Sequence, residues 1–359
     1  MSSFNFLSHN QTIFSNSDAL DTDFIPKILP HREDQQRSIA ESIAPLLKNR
    51  SGPSLILQGP AGVGKSVSAK RVLMDLEELD DAIDISKVYV NCWKANTTYK
   101  VMTEIAHQIG FKFTHNLKTN EIINKIIEKL DKRKGVVIIL DEADKADDYD
   151  FLYHILENLT RKTLILITND ESWSKKIDFR IASRLTPEIV NYSEYTSKQI
   201  FDILKERIKY AFYQNVWSED LIEQVAITSS KFKDIRIAIK LVKQIGEVAE
   251  NESSKKIEIN HLNKAISKIP DFKIKSSKDF NETENFVRKI CEENSGKTTG
   301  ELFSIYSKRG GKKSEKTFKR VLDTLEKKRI ITQRMTSEGF RGRSSIIKYN
   351  SIEKKITDY

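Results

Sequence analysis

Apolar and polar positions divide this chain into three stretches with different rhythms. Between Ser54 and about Val190, short apolar runs alternate with helical periodicity; the runs lie near 54–57, 87–91, 136–140, 164–168 and 188–190. Val136-Val137-Ile138-Ile139-Leu140 has no polar interruption. A strand of that kind needs cover on both faces, as in a parallel sheet flanked by helices. The alternation predicts an α/β domain. Helices are expected from about Arg32 to Lys48 and over 65–78. Residues 196–268 keep a helical period over 197–213, 218–229, 232–249 and 259–268, with Ile257-Glu258-Ile259 the one strand-like run. After a lysine-rich polar stretch at 270–283 the rhythm changes again. Within 314–328, Phe318, Val321, Leu322 and Leu325 recur at i, i+3, i+4 and i+7, one apolar helix face. Ile330-Ile331-Thr332 and Ile346-Ile347-Lys348-Tyr349 read as strands around a glycine-and-arginine turn at 337–344. Helix, strand, basic turn, strand is the order of a winged helix. The expected division is an N-terminal arm (1–30), an α/β domain (31–194), a small helical domain (195–270), a linker (271–283) and a winged helix (284–359).

Composition narrows the setting. At 359 residues the chain exceeds one ordinary domain. No apolar run approaches the roughly 18–20 residues that a membrane helix requires. The first thirty residues are polar and lack the apolar segment of a secretory signal. The two cysteines, Cys92 and Cys291, are far apart and fit neither a metal motif nor a disulfide framework. A reducing, cytoplasmic location is expected. The net charge of +9 is unevenly placed: residues 281–359 hold nineteen Lys and Arg against eleven Asp and Glu, and the rest is nearly neutral. A basic segment on a neutral body predicts a polyanionic partner, most commonly nucleic acid.

The chemistry is concentrated at the ends of the apolar runs. Gly59-Pro60-Ala61-Gly62-Val63-Gly64-Lys65-Ser66 follows the first run and opens the 65–78 helix. It fits G-x-x-x-x-G-K-[ST], the P-loop. Glycines let the backbone curl so that several N–H groups, including those of Gly62, Val63 and Gly64, face one set of phosphate oxygens. Lys65 then reaches the β- and γ-phosphates and Ser66 offers a hydroxyl to Mg²⁺. The third run ends in Asp141-Glu142. Asp141 is expected to hold Mg²⁺ as a Walker B aspartate, and Glu142 to act as general base on the attacking water. Asn169, at the end of the fourth run, would emerge at the same sheet edge, where ligands of open α/β sheets sit. There an amide would hold that water or sense the γ-phosphate. Arg184, in Arg180-Ile181-Ala182-Ser183-Arg184, and Arg236, at the start of a later helix, read by themselves first as surface charges; either is also of a type that contacts a phosphoryl oxygen.

In the basic tail, Lys316, Lys319, Arg320 and Lys327 fall away from the apolar face of the 314–328 helix. A helix that packs on one side and is basic on the other suits a major groove. Arg341 and Arg343 at the turn would enter a minor groove while the lysines hold phosphates.

These motifs, in this order, resemble an AAA+ ATPase of the initiator clade. More narrowly, the chain is similar to the archaeal family related to the origin recognition complex large subunit and the cell-division-control loader, over nearly its whole length. The resemblance implies an AAA+ domain, a helical lid and a winged helix. It also implies bound ATP or ADP with Mg²⁺, slow hydrolysis used as a switch, and double-stranded origin DNA and a replicative helicase as partners, with contact between protomers or paralogues on DNA. Pro30-His31-Arg32-Glu33 matches the family's entry segment near the adenine. Tyr195 and Arg207 match positions that bind ATP, Arg184 the arginine finger offered to a neighbouring subunit, and Arg236 the second sensor. The family commonly has Gly-Asp before that sensor; this chain has Lys233-Asp234. The clade also inserts a DNA-touching helical element after the second strand, and residues about 108–120, with Lys112 and Lys118, are its candidate place, a plain helix-to-helix loop being the other reading. Two other readings share the nucleotide core: a clamp-loader-like or transposition-helper ATPase, and a DNA-binding regulator switched by nucleotide without turnover.

Overall fold

The computed structural model describes residues 12–111, 114, 117–268, 282–311, 313–327, 331–335 and 345–349. These fall into two compact units, residues 1–266 and 267–359.

The first unit is built on a five-stranded sheet, β1 (Leu55–Gln58), β2 (Ile85–Asn91), β3 (Gly135–Asp141), β4 (Lys162–Thr168) and β5 (Glu188–Asn191), in the order β2-β3-β4-β1-β5. All neighbouring pairs are parallel. The side chains of β3 and β4 are almost entirely buried, as their unbroken apolar runs require. One face of the sheet packs on α3 (Thr98–Gln108), α4 (Thr119–Asp131), α5 (Asp150–Asn158) and α6 (Phe179–Leu185). The other packs on α1 (Glu33–Leu47) and α2 (Lys65–Glu77). β1 is an interior strand between β4 and β5, and the loop that leaves its carboxyl end opens at the sheet edge where ligands of open α/β sheets usually sit.

Four helices follow: α7 (Ser197–Ala211), α8 (Glu219–Ser230), α9 (Ile235–Asn251) and α10 (Ile259–Lys268). Thr196 and Gln199 form a reciprocal capping box at the start of α7. Ile257 is a buried loop residue rather than part of a strand; its N–H is taken by the Val216 carbonyl. Between α3 and α4 the described residues, 109–111, 114, 117 and 118, lie outside any helix; His107 of α3 bonds the buried Thr114 hydroxyl at 3.1 Å, Lys118 is exposed and Lys112 lies outside the described residues.

Residues 12–30 depart from a simple arm. Phe14 bridges Phe212, Ser17–Leu20 form a short 3-10 helix, and Ile13, Ala19 and Leu20 are buried against α7 and α9. Gly246 on α9 makes room for this: a Cβ there would stand 2.3 Å from the Phe14 ring and 2.8 Å from that of Phe212.

The second unit contains α11 (Glu282–Glu293), α12 (Thr299–Lys308), α13 (Glu315–Lys327) and the antiparallel pair β6 (Ile331–Met335) and β7 (Ser345–Tyr349). α11 therefore begins inside the stretch expected to be linker; residues 269–281 lie outside the described residues. Phe318, Leu322 and Leu325 of α13 bury against Val287, Ile290, Leu302 and Tyr306, with Ile331 and Ile347 closing the core. A bridge between Thr298 and Ile346 adds a short third strand position. Three helices followed by an antiparallel strand pair is the element order expected of a winged helix.

Candidate functional site

The P-loop takes its shape from three glycines with positive φ: Gly59 (+147°), Gly62 (+76°) and Gly64 (+94°). Gly64 is the left-handed cap from which α2 starts, with Lys65 as its first residue. Two of these positions also allow close approach. A Cβ on Gly62 would fall 2.1 Å from an Asp234 carboxylate oxygen, and one on Gly64 would fall 2.8 Å from the Tyr195 hydroxyl. The loop borders a cleft of about 930 Å³ whose walls also carry Tyr89, Asp141, Glu142, Asn169, Arg207 and Arg236. Of the residues expected to act on nucleotide, the structure therefore brings together Gly62, Val63, Gly64, Lys65, Ser66, Asp141, Glu142, Asn169, Arg207 and Arg236.

Lys65 is folded onto its own loop. Its ammonium donates to the carbonyls of Gly59 (2.7 Å) and Pro60 (2.6 Å) and to Asn169 Oδ1 (2.8 Å). Burial lowers its pKa to about 8, opposed by the charges of Asp141 and Asp144. Asn169 thus meets the P-loop lysine directly. Its own backbone is held by Asp144, whose Oδ1 accepts from the Asn169 N–H (3.3 Å) and the Thr168 hydroxyl (3.1 Å). Asp144 is a supporting residue that its sequence neighbours, an acidic turn, did not single out.

Asp141 is buried at the end of β3, and Oδ1 accepts from the Glu142 N–H at 2.9 Å. Glu142 holds φ of +54°, unusual for a residue with a side chain and concentrated at sites where a group must be aimed. Hard oxygen donors, the Ser66 hydroxyl and the Asp141 carboxylate, line the same cleft, and the Tyr89 hydroxyl donates to Asp141. That donor set suits Mg²⁺.

α9 touches the P-loop from the other side. The Asp234 side chain caps the helix by accepting from the Arg236 N–H (2.9 Å), and the Ile235 N–H donates to the Gly62 carbonyl (3.2 Å). The Arg236 guanidinium folds back on Asp234, with Nη2 2.6 Å from Oδ2. Lys233 explains how the helix starts without the family's glycine: it adopts the left-handed conformation itself, at φ +56°. A lysine there accepts local strain on the order of 1–2 kcal/mol.

Three of the expected residues make contacts that no motif pointed to. The buried Arg207 guanidinium donates to the carbonyls of Ala19 (2.9 Å) and Phe24 (3.1 Å), fastening the N-terminal segment so that Thr22, Asp23 and Ile25 become part of the cleft wall. Burial lowers its pKa to about 10. Tyr195 stacks on the Arg32 guanidinium, 4.0 Å from ring centre, instead of lining the cleft. Arg184 lies outside the cleft of its own chain, on α6, paired with Glu157 and 5.2 Å from the Tyr153 ring centre.

Arg32 is the largest omission from the motif reading. It is 3% exposed, donates to Val63 of the P-loop (2.9 Å) and to Ser193 ahead of α7 (2.6 Å), and lies between the rings of Tyr192 and Tyr195. Only its place in the entry segment hinted at this.

On α13, Lys316, Lys319 and Arg320 are exposed, away from the buried face; Lys319 is 2.7 Å from Glu315. Arg341 and Arg343 lie outside the described residues.

Comparison with known proteins agrees with this geometry. Residues 48–175 match the family described as AAA domain, and residues 201–267 that described as Cdc6 AAA+ ATPase-type lid domain. The chain is 30% identical to ORC1-type DNA replication protein 1 of Sulfurisphaera tokodaii, covering 96% of this chain and 92% of that protein. It is 28% identical to ORC1-type DNA replication protein 1 of Archaeoglobus fulgidus, over 99% of this chain and 92% of that one. The solved structure of Aeropyrum pernix ORC1 in complex with DNA superposes with a TM-score of 0.68 at 25% identity, covering 95% and 94% of the two chains. That of Aeropyrum pernix ORC2 in ADPNP and ADP complexes gives 0.70 at 17% identity, covering 94% of each.

Proposed function

This chain belongs to the ORC1-type DNA replication proteins, AAA+ ATPases, and we propose that it binds origin DNA under the control of bound ATP or ADP and helps recruit the replicative helicase. The observation that carries the switch is the contact between α9 and the P-loop: Asp234 and Ile235 meet Gly62 where phosphates are expected, and Arg236 is paired with Asp234. A γ-phosphate offers Arg236 a partner that competes with Asp234, so the two nucleotide states favour different lid positions through differential contacts.

Within the cleft, the P-loop N–H groups and the start of α2 favour phosphate oxygens. Lys65 exchanges its carbonyl partners for the β- and γ-phosphates. Ser66 and Asp141 would hold Mg²⁺, which when bound neutralises phosphate charge. Glu142 takes the proton of the attacking water, and Asn169 aligns that water once Lys65 releases its amide. Arg207 holds the wall formed by residues 22–25, and Tyr195 with Arg32 holds the P-loop against the start of the lid. Arg184 serves an adjoining protomer or paralogue. Lys316, Lys319 and Arg320, with Arg341 and Arg343, bind duplex DNA through phosphates and the minor groove. A partner of this kind places the protein on the cytoplasmic nucleoid; among the described residues no helix is long and apolar enough to cross a membrane.

Crosslinking and sequencing of the protein on its own chromosome tests the initiator reading. Sharp occupancy where replication begins is expected; occupancy confined to promoters would replace it with the regulator reading. ATP turnover with Glu142→Gln as control separates a switch that hydrolyses from one that only binds.

A further inference from the structure

Tyr89 stands among the candidate metal-holding groups, and no motif points to it. It lies on β2 opposite Ile139 in the sheet register, with Asn91 opposite Asp141. Tyr89 and Asp141 therefore share a sheet face as diagonal neighbours, a spacing that an aromatic side chain can bridge. Its hydroxyl donates to Asp141 Oδ2, and both side chains line the cleft together with Ser66. Since Asp141 Oδ1 already accepts from the Glu142 N–H, the carboxylate is fixed at both oxygens.

The tyrosine is itself braced by its neighbours. β2 is an edge strand, and the side chain of Gln108 completes its hydrogen bonding at this one residue: the Tyr89 N–H donates to Gln108 Oε1 (2.9 Å) and Gln108 Nε2 to the Tyr89 carbonyl (2.8 Å). Glu104 accepts from the same amide at 2.6 Å. The Lys70 ammonium lies 4.7 Å from the ring centre. A residue needed only to fill the half-buried sheet face would require neither the hydroxyl nor this bracing.

We propose that Tyr89 is a positioning residue for the metal: its hydroxyl fixes the Asp141 carboxylate in the cleft that Ser66 also lines, so that Mg²⁺ finds that oxygen donor in place. This rests on the reading of Ser66 and Asp141 as the metal-holding pair. Groups that orient metal ligands from outside the coordination sphere commonly contribute ten- to a hundred-fold in affinity, on the order of that expected here.

The test is a titration of Mn²⁺ into the full-length protein saturated with ADP, read by the loss of the free-ion EPR signal. Binding of a fluorescent ADP analogue in EDTA reports the fold and the rest of the cleft. Tyr89→Phe is expected to weaken Mn²⁺ binding about ten- to a hundred-fold and to leave ADP affinity in EDTA unchanged. Unchanged or tighter Mn²⁺ binding overturns the proposal, and so does an equal loss of ADP affinity in EDTA, which would make Tyr89 a structural residue. Asp141→Asn separates the two levels of inference. If it loses Mn²⁺ affinity while Tyr89→Phe does not, only the role of Tyr89 falls; if neither changes it, the metal-site reading falls as well.

Discussion

Replacing Arg32 with alanine should loosen the joint between the P-loop and the lid. The side chain supplies a charged donor to two carbonyls from distant parts of the chain, Val63 and Ser193, at 2.9 and 2.6 Å. Leaving each carbonyl short of a partner costs about 1–3 kcal/mol. The contact with the Tyr195 ring, 4.0 Å from its centre, adds roughly 0.5–2 kcal/mol. Relief of the buried cation's desolvation offsets part of this, and a net loss of about 3–5 kcal/mol remains, a large share of the ~5–15 kcal/mol that stabilises a typical domain. All three tryptophans, Trp93, Trp173 and Trp217, lie in the first unit, so urea unfolding followed by tryptophan fluorescence reads the unit that contains Arg32. Arg32→Lys should recover only a minority of the loss, because an ammonium cannot span two carbonyls in the geometry of a guanidinium. A loss below about 1 kcal/mol, or full rescue by lysine, would refute the idea that this residue ties the two segments together.

The lowered Lys65 pKa implies that nucleotide affinity is highest below about pH 8 and falls as the pH rises from there toward 10.5, because the unliganded lysine is then neutral while phosphate favours its charged form. Fluorescent ADP titrations over that range should show the fall, and Lys65→Met should flatten it. Asp234→Ala removes both the α9 cap and the partner of Arg236 and should destabilise the lid by about 1 kcal/mol, seen in urea unfolding. It should also narrow the difference between ATP and ADP in hydrogen exchange over 234–240. Gly246→Ala adds a methyl group 2.3 Å from the Phe14 ring and should cost about 1–3 kcal/mol in the same unfolding assay, outweighing its better helix propensity. Lys316→Ala with Arg320→Ala should lower duplex affinity and reduce the slope of log K against log salt by about 0.9 for each phosphate that is no longer neutralised.

The nucleotide chemistry was legible in the chain because it depends on local rules. A phosphate loop needs glycines at fixed intervals before a lysine, and a buried parallel strand needs an unbroken apolar run; both survive as contiguous patterns. The alternation of strand and helix, the element order of the second unit and the exposed basic face of α13 follow from similar periodicities. What the one-dimensional pattern could not supply is which side chains meet across distance. Arg32 reaches Ser193, Tyr89 reaches Asp141, and Arg207 reaches Ala19, contacts between residues dozens to nearly two hundred positions apart. The N-terminal segment looked like an arm because Ile13, Phe14, Ala19, Leu20 and Ile25 have no regular spacing; they find their places only on the surface that α7 and α9 create. Lys233 makes the same point from the backbone. Its type argues against a left-handed turn, but Asp234 at Gly62 and the bond from Ile235 to the P-loop hold it there, so tertiary contacts outweigh a local preference of a kcal/mol or two.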